Sequence, residues 1–514
     1  MLVVGRPHFV ASERRTLVIA TAFLATAMAF IPDFAVIAVP IQDEFSLSID
    51  DANALQFFPV MAGLLMVFVA AALAVRLGRR MTLALASAAF GLGAMIMVGA
   101  PGFGTLVVGL ALVGIGSVIT TVVGLSLINV TFAVGSSRGK AFGVVAALSP
   151  IIALVVPNVS ASMSAQFGWR FVPLLWAGAA ALLLILSVAC VPGRQPRSDA
   201  GEWVTPVLAG VALAAFCYAA TTLDAPGPPT VIALATAGLF GGMLVVALRR
   251  QSAPGLDLRV LGSPGGIRAA LALMLIWSVS LTFYASVFLQ FRFGYSVATA
   301  TLVLTITEVA GIAGGLLFGF VAGRLGAQRA ALVALGSAAL LSLGLSAVAT
   351  TADPWRIVML ASLVAIPSVG STGPVTEHFL NHSPKDGSDG SSALADALSS
   401  VGFVVGGTIV GIVVFSGFAS SFAGGLEQRG YSPERAQTIA AEIRGGVSSA
   451  DLVARDGTLD PRLREVLLDD PDTISGAQES ALGIMGLAFC VSFGAAAILL
   501  LPGSRGAVAN ARGR

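Results

Sequence analysis

Long uninterrupted apolar runs, separated by short polar segments, dominate the chain. An apolar run of about 20 residues has the length of a membrane-spanning helix, whereas a membrane β-strand alternates over about 10 residues. The runs therefore predict an all-α polytopic membrane protein with fourteen spanning helices. The predicted helices cover residues 16–40, 53–75, 81–100, 104–128, 141–163, 170–191, 204–222, 229–248, 267–290, 296–322, 329–350, 355–375, 390–416 and 480–502.

Composition supports this class. Of 514 residues, 56% are hydrophobic and only 11% are charged, with a mean hydropathy of +0.91. A soluble domain needs about 25% charged residues, so a soluble fold is excluded. The three cysteines stand alone in apolar runs, which predicts neither a disulfide framework nor a metal site, and no cofactor motif is present. The net charge of +2 gives no indication of a nucleic-acid partner.

The distribution of basic residues predicts the topology. With fourteen helices, 20 Arg and Lys fall on one side and only three fall in short loops on the other. Cytoplasmic loops carry such an excess, so both termini are predicted to be cytoplasmic. The first run is interpreted as an uncleaved helix. Scarce lysine beside abundant alanine, glycine and arginine indicates a multi-pass protein of a bacterial plasma membrane.

One short segment occurs twice. Residues 71–80 read AALAVRLGRR and residues 319–329 read GFVAGRLGAQR, each between two apolar runs. An internal repeat of this kind predicts two related membrane halves. We expect six-helix bundles at residues 1–192 and 267–514, with an inserted helix pair at 193–266.

A polar segment near the C-terminus interrupts the pattern. Residues 417–479 are predicted to form an extracytoplasmic loop. Within the loop, Pro433 at a first helical position predicts a helix that runs to Arg444. A second short helix is predicted from Pro461 to Leu468. The segment is interpreted as a small helical cap without chemistry of its own.

The first repeat copy resembles the loop signature Gly-x-Leu-Ala-Asp-Arg-x-Gly-Arg-Arg of the major facilitator superfamily. Further fragments resemble its fourteen-helix drug/proton antiporter branch, namely DFAVIAVP at 33–40, RGKA at 138–141, GWR at 168–170 and QFRFGYS at 290–296. The resemblance implies two six-helix bundles that rock about a central cavity. It also implies a cytoplasmic gate that contains Arg76, Gly78, Arg79, Arg80, Arg324 and Gly326.

Several signature positions depart from this pattern. Val75 replaces the acidic residue of the loop, so the gate is expected to lose one charge pair. Residues 110–116 of helix four lack the family's arginine and glutamine, and residues 156–161 of helix five have lost most of the antiporter glycines. These departures weaken the prediction of an ordinary drug antiporter more than the prediction of a transporter.

Two carboxylates lie within the predicted spans. Asp33 falls in the outer third of helix one, and Glu308 falls near the middle of helix ten, with no Lys or Arg at comparable depth. Ionisable residues in a membrane are costly and usually functional. One hypothesis is that they carry protons and favour a cationic or neutral substrate. The alternative is a purely structural carboxyl group bonded to a neighbouring helix.

Other polar residues have weaker indications. Asn158 follows Pro157, and Gln56 precedes Pro59, so each could line a cavity or simply accompany a kink. Glu377 and Asp396 lie near predicted helix ends and are interpreted as interfacial.

The favoured function is export of hydrophobic or cationic small molecules by a monomeric secondary transporter with proton antiport. An alternative is an exporter of lipid or cell-envelope precursors without tight proton coupling. A remote alternative is a membrane-embedded transferase that uses Glu377, His378 and His382. No catalytic, cofactor or metal residue is predicted, and the chain is not expected to be an enzyme.

Overall fold

A computed structural model describes most of the chain. It covers residues 11–45, 49–132, 136–191, 203–223, 226–250, 258–279, 297–347, 353–383, 388–444 and 471–501, with isolated positions 256, 281, 284–285, 288–289, 293 and 295. Within these residues the regular elements are all helices, and no strand occurs. The all-α class is therefore confirmed.

Eight helices form the first part of the described chain. They are α1 (Ala11–Phe45), α2 (Ile49–Arg76), α3 (Gly78–Val98), α4 (Phe103–Thr131), α5 (Ser136–Phe167), α6 (Phe171–Cys190), α7 (Val204–Thr221) and α8 (Pro228–Arg250).

A short 3₁₀ turn, Arg259–Gly262, precedes the second part. Its helices are α9 (Pro264–Trp277), α10 (Val297–Leu325), α11 (Ala327–Ala347), α12 (Pro354–Leu380), α13 (Ser388–Val401), α14 (Gly407–Gln428), α15 (Pro433–Arg444) and α16 (Pro471–Leu500). A π-helical segment, Gly402–Gly406, joins α13 to α14.

Within the described residues, eleven helical stretches are long and apolar enough to cross a membrane, and α9 is a shorter apolar helix. A helix rises about 1.5 Å per residue, so about 20 residues match the hydrocarbon thickness. The chain is therefore a multi-pass membrane protein, and the count of fourteen spans stays a prediction.

The helices pack in two groups. Helices α1 to α6 pack on one another as the first helix group, and α9 to α14 with α16 form the second helix group. Helix α7 packs on α2 and α8 packs on α7. The two groups meet where α5 contacts α10 and α12, and where α13 contacts α2 and α4.

Both repeat copies form tight turns between antiparallel helices. Gly78, between α2 and α3, has φ of 78°, and Gly326, between α10 and α11, has φ of 86°. A residue with a Cβ is strained in this left-handed region, which explains the glycine in each copy. We call the side of the molecule that carries these turns the repeat end.

The predicted polar loop is shorter than expected. Helix α14 continues to Gln428 instead of ending at residue 416, and α16 begins at Pro471 instead of residue 480. The extension packs on α15 around Phe422, Leu426 and Ile439, because its apolar residues gain partners there. Helix α15 has the predicted bounds, whereas the predicted helix 461–468 lies outside the described residues.

Candidate functional site

Helices α5 and α10 touch backbone to backbone at the repeat end. A methyl group added to Gly143 would lie 2.5 Å from the Cα of Gly319, and one added to Gly139 would lie 3.0 Å from the backbone nitrogen of Gly323. Small residues allow such close approach between membrane helices. We call this contact the glycine seam, and it closes the space between the two helix groups at the repeat end.

Asn158 and Glu308 continue the two faces that form the glycine seam. Ala147 of α5 also lies on the glycine seam, because a methyl group added to Gly315 would lie 2.6 Å from its backbone nitrogen. Asn158 lies eleven residues beyond Ala147 on α5, and Glu308 lies eleven residues before Gly319 on α10. Eleven residues are about three helical turns, so each residue projects from its seam face. By this spacing, both predicted residues lie on the helix faces that form the seam, about three turns from it.

The exposure of these residues shows where the helices separate. Gly139 and Gly143 are buried, whereas the side chain of Asn158 is exposed and its Nδ2 donates to the carbonyl oxygen of Leu154 at 2.6 Å. Glu308 is partly buried. The space between α5 and α10 is therefore closed at the repeat end and open three turns away.

An ion pair links the second helix group to the first repeat turn. Arg79 donates from Nε to Asp389 Oδ1 at 3.0 Å and from its terminal nitrogen to Asp389 Oδ2 at 2.7 Å. Ser126 of α4 donates to the same carboxylate, and Arg79 Nε also lies 3.0 Å from its hydroxyl oxygen. Bidentate pairs of this kind are strong and directional. We call these three residues the inner lock.

The inner lock supplies an acid that the loop lacks. Val75 occupies the position of the family's acidic residue, but Asp389 at the start of α13 pairs with Arg79 from the other helix group. The sequence hypothesis that Val75 costs the gate one charge pair stays a prediction, and the Arg79–Asp389 pair is an additional contact that the sequence analysis did not identify. Asp389 lies 310 residues from Arg79 in the chain, so no local pattern indicates the pair.

The other predicted gate arginines have no part in the inner lock. Arg76 stacks on the Trp203 ring at 4.9 Å, and Arg324 stacks on the Phe320 ring at 4.2 Å. Arg80 is exposed. Cation–π contacts of this kind suit basic side chains at the ends of membrane helices, where the charge can remain near water.

A buried arginine corrects one sequence interpretation. Arg138, expected before helix five, lies in the first turn of α5 and is only 5% exposed. It donates to Asn381 Oδ1 and to the Asn129 carbonyl oxygen, each at 3.3 Å. Glu377 of α12 interacts electrostatically with Arg138 and is only 2% exposed. Glu377 is thus buried between the helix groups, three residues before the end of α12, and its depth relative to the membrane interface stays a prediction.

Asp33 lies inside the first helix group. Its Oδ2 accepts a hydrogen bond of 2.7 Å from Trp176 Nε1, and buried Ser160 of α5 stands beside the carboxyl group. Ser160 and Asn158 are two residues apart and project to opposite sides of α5. Asp33 is therefore separated by α5 from the surface that carries Asn158. The side chain of Gln56, the fourth predicted cavity residue, lies outside the described residues.

Asp396 is a second acid interpreted as interfacial, and the residue is partly buried. Its Oδ2 is buried and has no hydrogen-bond partner within the described part of the chain. It lies seven residues after Asp389 on α13, and this spacing was the available signal. Residues seven apart share a helix face.

At the end opposite the repeat end, Glu44 connects three elements. Its carboxylate accepts hydrogen bonds from Arg170 and from Trp169 Nε1, each at 2.6 Å, while Arg170 also donates to the Ala100 carbonyl oxygen at 3.1 Å. Glu44 lies beyond the apolar stretch of α1. The Arg170 and Trp169 hydrogen bonds hold the pKa of Glu44 below its usual range.

Metal-binding chemistry has little support in the described residues. No group of three His, Cys, Asp or Glu side chains there could hold a metal ion. Charged side chains instead form pairs between helices, and the two helix groups meet around a seam that is closed at one end. That arrangement is typical of a membrane transporter built from two bundles.

Sequence comparison agrees with this architecture. The family profile described as Major Facilitator Superfamily matches residues 17–407. The chain belongs to this superfamily. Members of the superfamily are transporters, and the match includes both repeat turns and the inner lock.

Solved structures share the fold at low sequence identity. The human organic anion transporter MFSD10 (TETRAN) has 12% identity and a TM-score of 0.60, and the two chains are covered to 94% and 99%. The proton:xylose symporter XylE has 16% identity and a TM-score of 0.57, with 90% of this chain and 98% of that chain covered. A bacterial homologue of the iron transporter ferroportin in an outward-facing state has 12% identity and a TM-score of 0.54, with 94% and 98% covered. No curated protein matches the chain significantly in sequence.

Proposed function

We propose that this protein exports hydrophobic or cationic small molecules across a bacterial plasma membrane in exchange for protons. The observation that carries the proposal is the seam between α5 and α10, which is closed at the glycine pairs and open at Asn158. With both termini in the cytoplasm, the repeat end is the inner end. Export then requires the glycine seam and the inner lock to open toward the cytoplasm.

The two helix groups supply the moving parts. In this proposal the first helix group, within residues 1–192, rocks against the second, within residues 267–514, and one copy of the chain suffices. Helix α7 moves with α2, on which it packs, and α8 moves with α7. Because close-packed interfaces are bistable, the inner contacts either form together or separate together.

The charged side chains near the inter-group surface favour a cationic substrate. Glu308 projects toward it from α10, and Asp396 lies on the α13 face that carries Asp389. Arg138 is the buried base, and its charge is opposed by Glu377. A cationic substrate and a proton could therefore compete for the same carboxyl groups, which would couple substrate exit to proton entry.

The test is substrate-evoked proton movement in proteoliposomes. Vesicles with an acidic interior, a trapped pH-sensitive dye and a clamped membrane potential receive ethidium or tetraphenylphosphonium outside. We expect interior alkalinisation with the wild-type protein, and loss of this signal in Glu308→Gln. Asp33→Asn, which alters a carboxyl group behind α5, is expected to retain the signal if it folds. Protein-free vesicles provide the baseline for passive cation entry.

A second candidate is export of a lipid or cell-envelope precursor without tight proton coupling. The cap formed by the extension of α14 and by α15 favours it, because it has a small core of its own around Phe422 and Ala436 at the predicted outer surface. Folded protein that moves no protons with any cation of the panel would support this candidate. Transfer of a fluorescent lipid between leaflets would then be the assay.

A further inference from the structure

Asp396 lies on the inter-group face of α13. It follows Asp389 by seven residues, which is about two turns and about 10.5 Å along the helix. Asp389 faces the first helix group, because it pairs with Arg79 of α3 and with Ser126 of α4. Helix α13 packs along α2 and α4. Asp396 is therefore directed toward the first helix group, two turns deeper in the membrane than the inner lock.

The surroundings of Asp396 supply no counter-charge within the described residues. Its Oδ2 is buried without a hydrogen bond there. Helix α4 has no ionisable residue, and the inner-lock arginine, Arg79, is held by Asp389 and Ser126. The ionisable residues of the other helices that contact α13 lie near helix ends: Asp50, Asp51 and Arg76 on α2, Arg268 on α9, and Arg356, Glu377 and His378 on α12.

The basic members of that set have other described contacts or lie at the far end. Arg76 stacks on Trp203, and Arg268 donates to the carbonyl oxygens of Pro264 and Leu501. Arg356 lies at the other end of α12, beside Asp353. An ionised carboxylate with a buried unbonded oxygen is costly inside a membrane. The group is stable there as a neutral acid or with a cation beside it.

We infer that Asp396 is a binding residue for the transported cation, located just above the inner lock, where a proton replaces the cation after release. This inference rests on the proposed function. Asp389 and Asp396 share one face of α13. When the inner lock opens, Asp396 therefore moves away from α2 and α4 together with Asp389. On the cytoplasmic side the carboxyl group would then give up its proton and bind the cation, and a proton from outside would replace the cation after the opposite end opens.

The first experiment measures tetraphenylphosphonium binding and proton release on purified protein in weakly buffered detergent solution. We expect Asp396→Asn to weaken binding by about tenfold or more and to reduce proton release. Asp396→Glu should recover part of both. Ser399→Ala is the matched control, because Ser399 lies one turn further on α13 and its hydroxyl donates to the Ala395 carbonyl oxygen. This control is expected to behave as wild type.

The second experiment needs no variant, so it decides the question if Asp396→Asn fails to fold. Wild-type protein is treated with dicyclohexylcarbodiimide, which reacts with protonated carboxyl groups in apolar surroundings, and labelled peptides are measured by mass spectrometry. We expect tetraphenylphosphonium to slow labelling of Asp396 but not of Asp33. Labelling of Asp396 that the cation leaves unchanged would overturn the inference.

The outcomes also separate the two proposals. Wild-type binding and proton release that persist in Asp396→Asn but disappear in Glu308→Gln would overturn the role of Asp396 and leave the proposed function standing. Wild-type protein that binds no cation and releases no proton would overturn both.

Discussion

At the scale of single residues, Glu44 shows how one carboxylate can connect three elements. It extends from the end of α1 to Trp169 and Arg170 before α6, and Arg170 reaches the Ala100 carbonyl oxygen after α3. Arg170 also stacks on the Trp169 ring at 4.6 Å. The side chains of Glu44 and Arg170 are each 38% exposed, so solvent screens their attraction.

This contact predicts a pH-dependent stability. The lowered pKa of Glu44 means that its contribution is present at neutral pH and is lost as pH falls through the folded-state pKa, below 4.5. Because the pair is exposed, we expect Glu44→Gln to lower stability at pH 7 by about 0.5–1 kcal/mol. The thermal midpoints of variant and wild type should converge once the pH falls below the folded-state pKa of Glu44. A difference that persists unchanged at acidic pH would contradict the prediction, and Glu13→Gln on the same helix is the control.

At the scale of elements, α13 carries the acid that the α2–α3 loop lacks. Asp389 and Arg79 have side chains that are only 13% and 11% exposed, so water competes weakly for their hydrogen bonds. A pair between the two helix groups stabilises the closed repeat end directly, whereas a pair within one loop would act on the loop alone.

The inner lock is therefore expected to control opening of the repeat end. Asp389→Asn should increase the reactivity of a cysteine at Ala147, on the glycine seam, by about tenfold in a background without native cysteines. The exchange Arg79→Asp with Asp389→Arg should restore low reactivity, because the pair is re-formed with its charges reversed. Arg80→Gln, which alters the exposed neighbour, is the control and should change little.

Reactivity of the Ala147 cysteine that stays at the wild-type level in Asp389→Asn would show that the lock does not govern closure. Equal increases in Asp389→Asn and Arg80→Gln would point instead to a general effect of altering a charged side chain near the loop.

At the scale of the whole molecule, the two helix groups close on each other through glycine. Methyl groups on Gly143 or Gly319 would meet the opposing backbone, which cannot move aside as a side chain can. Gly336 on α11 is also a helical glycine, but a methyl carbon added there would have no neighbouring atom within 4 Å. A comparison of Gly319→Ala with Gly336→Ala therefore separates the effect of the seam from the general effect of alanine in a helix.

We expect Gly319→Ala to hold the repeat end open. Spin labels at Arg80 and Arg329, which are exposed at this end on the first and second helix groups, report the separation of the groups by pulsed electron resonance. Gly319→Ala should shift the distance distribution to longer values, and Gly336→Ala should leave it as in wild type. An unchanged distribution in Gly319→Ala would contradict a seam that needs glycine.

Apolar run length predicted most of the described spanning helices, and proline at a first helical position predicted the bounds of α15. Hydrophobicity is read along the chain, and a span must be long enough to cross the hydrocarbon layer whatever it packs against. The repeat likewise located both glycine turns, because a positive φ is a local requirement at Gly78 and Gly326. The order of spans and the superfamily signature were therefore available from the sequence.

Only the tertiary structure decided which charged residues meet. Asp33 and Glu308 look alike in the sequence, yet one lies behind α5 and the other projects from the seam face of α10. Four charged residues lie near predicted helix ends, where the sequence alone predicts contact with water: Asp389, Asp396, Arg138 and Glu377. Arg138 and Glu377 are buried and the two aspartates are partly buried, because helices that are distant in the chain pack against them. The sequence thus determined the helices and their order, and packing between the two groups determined the candidate site.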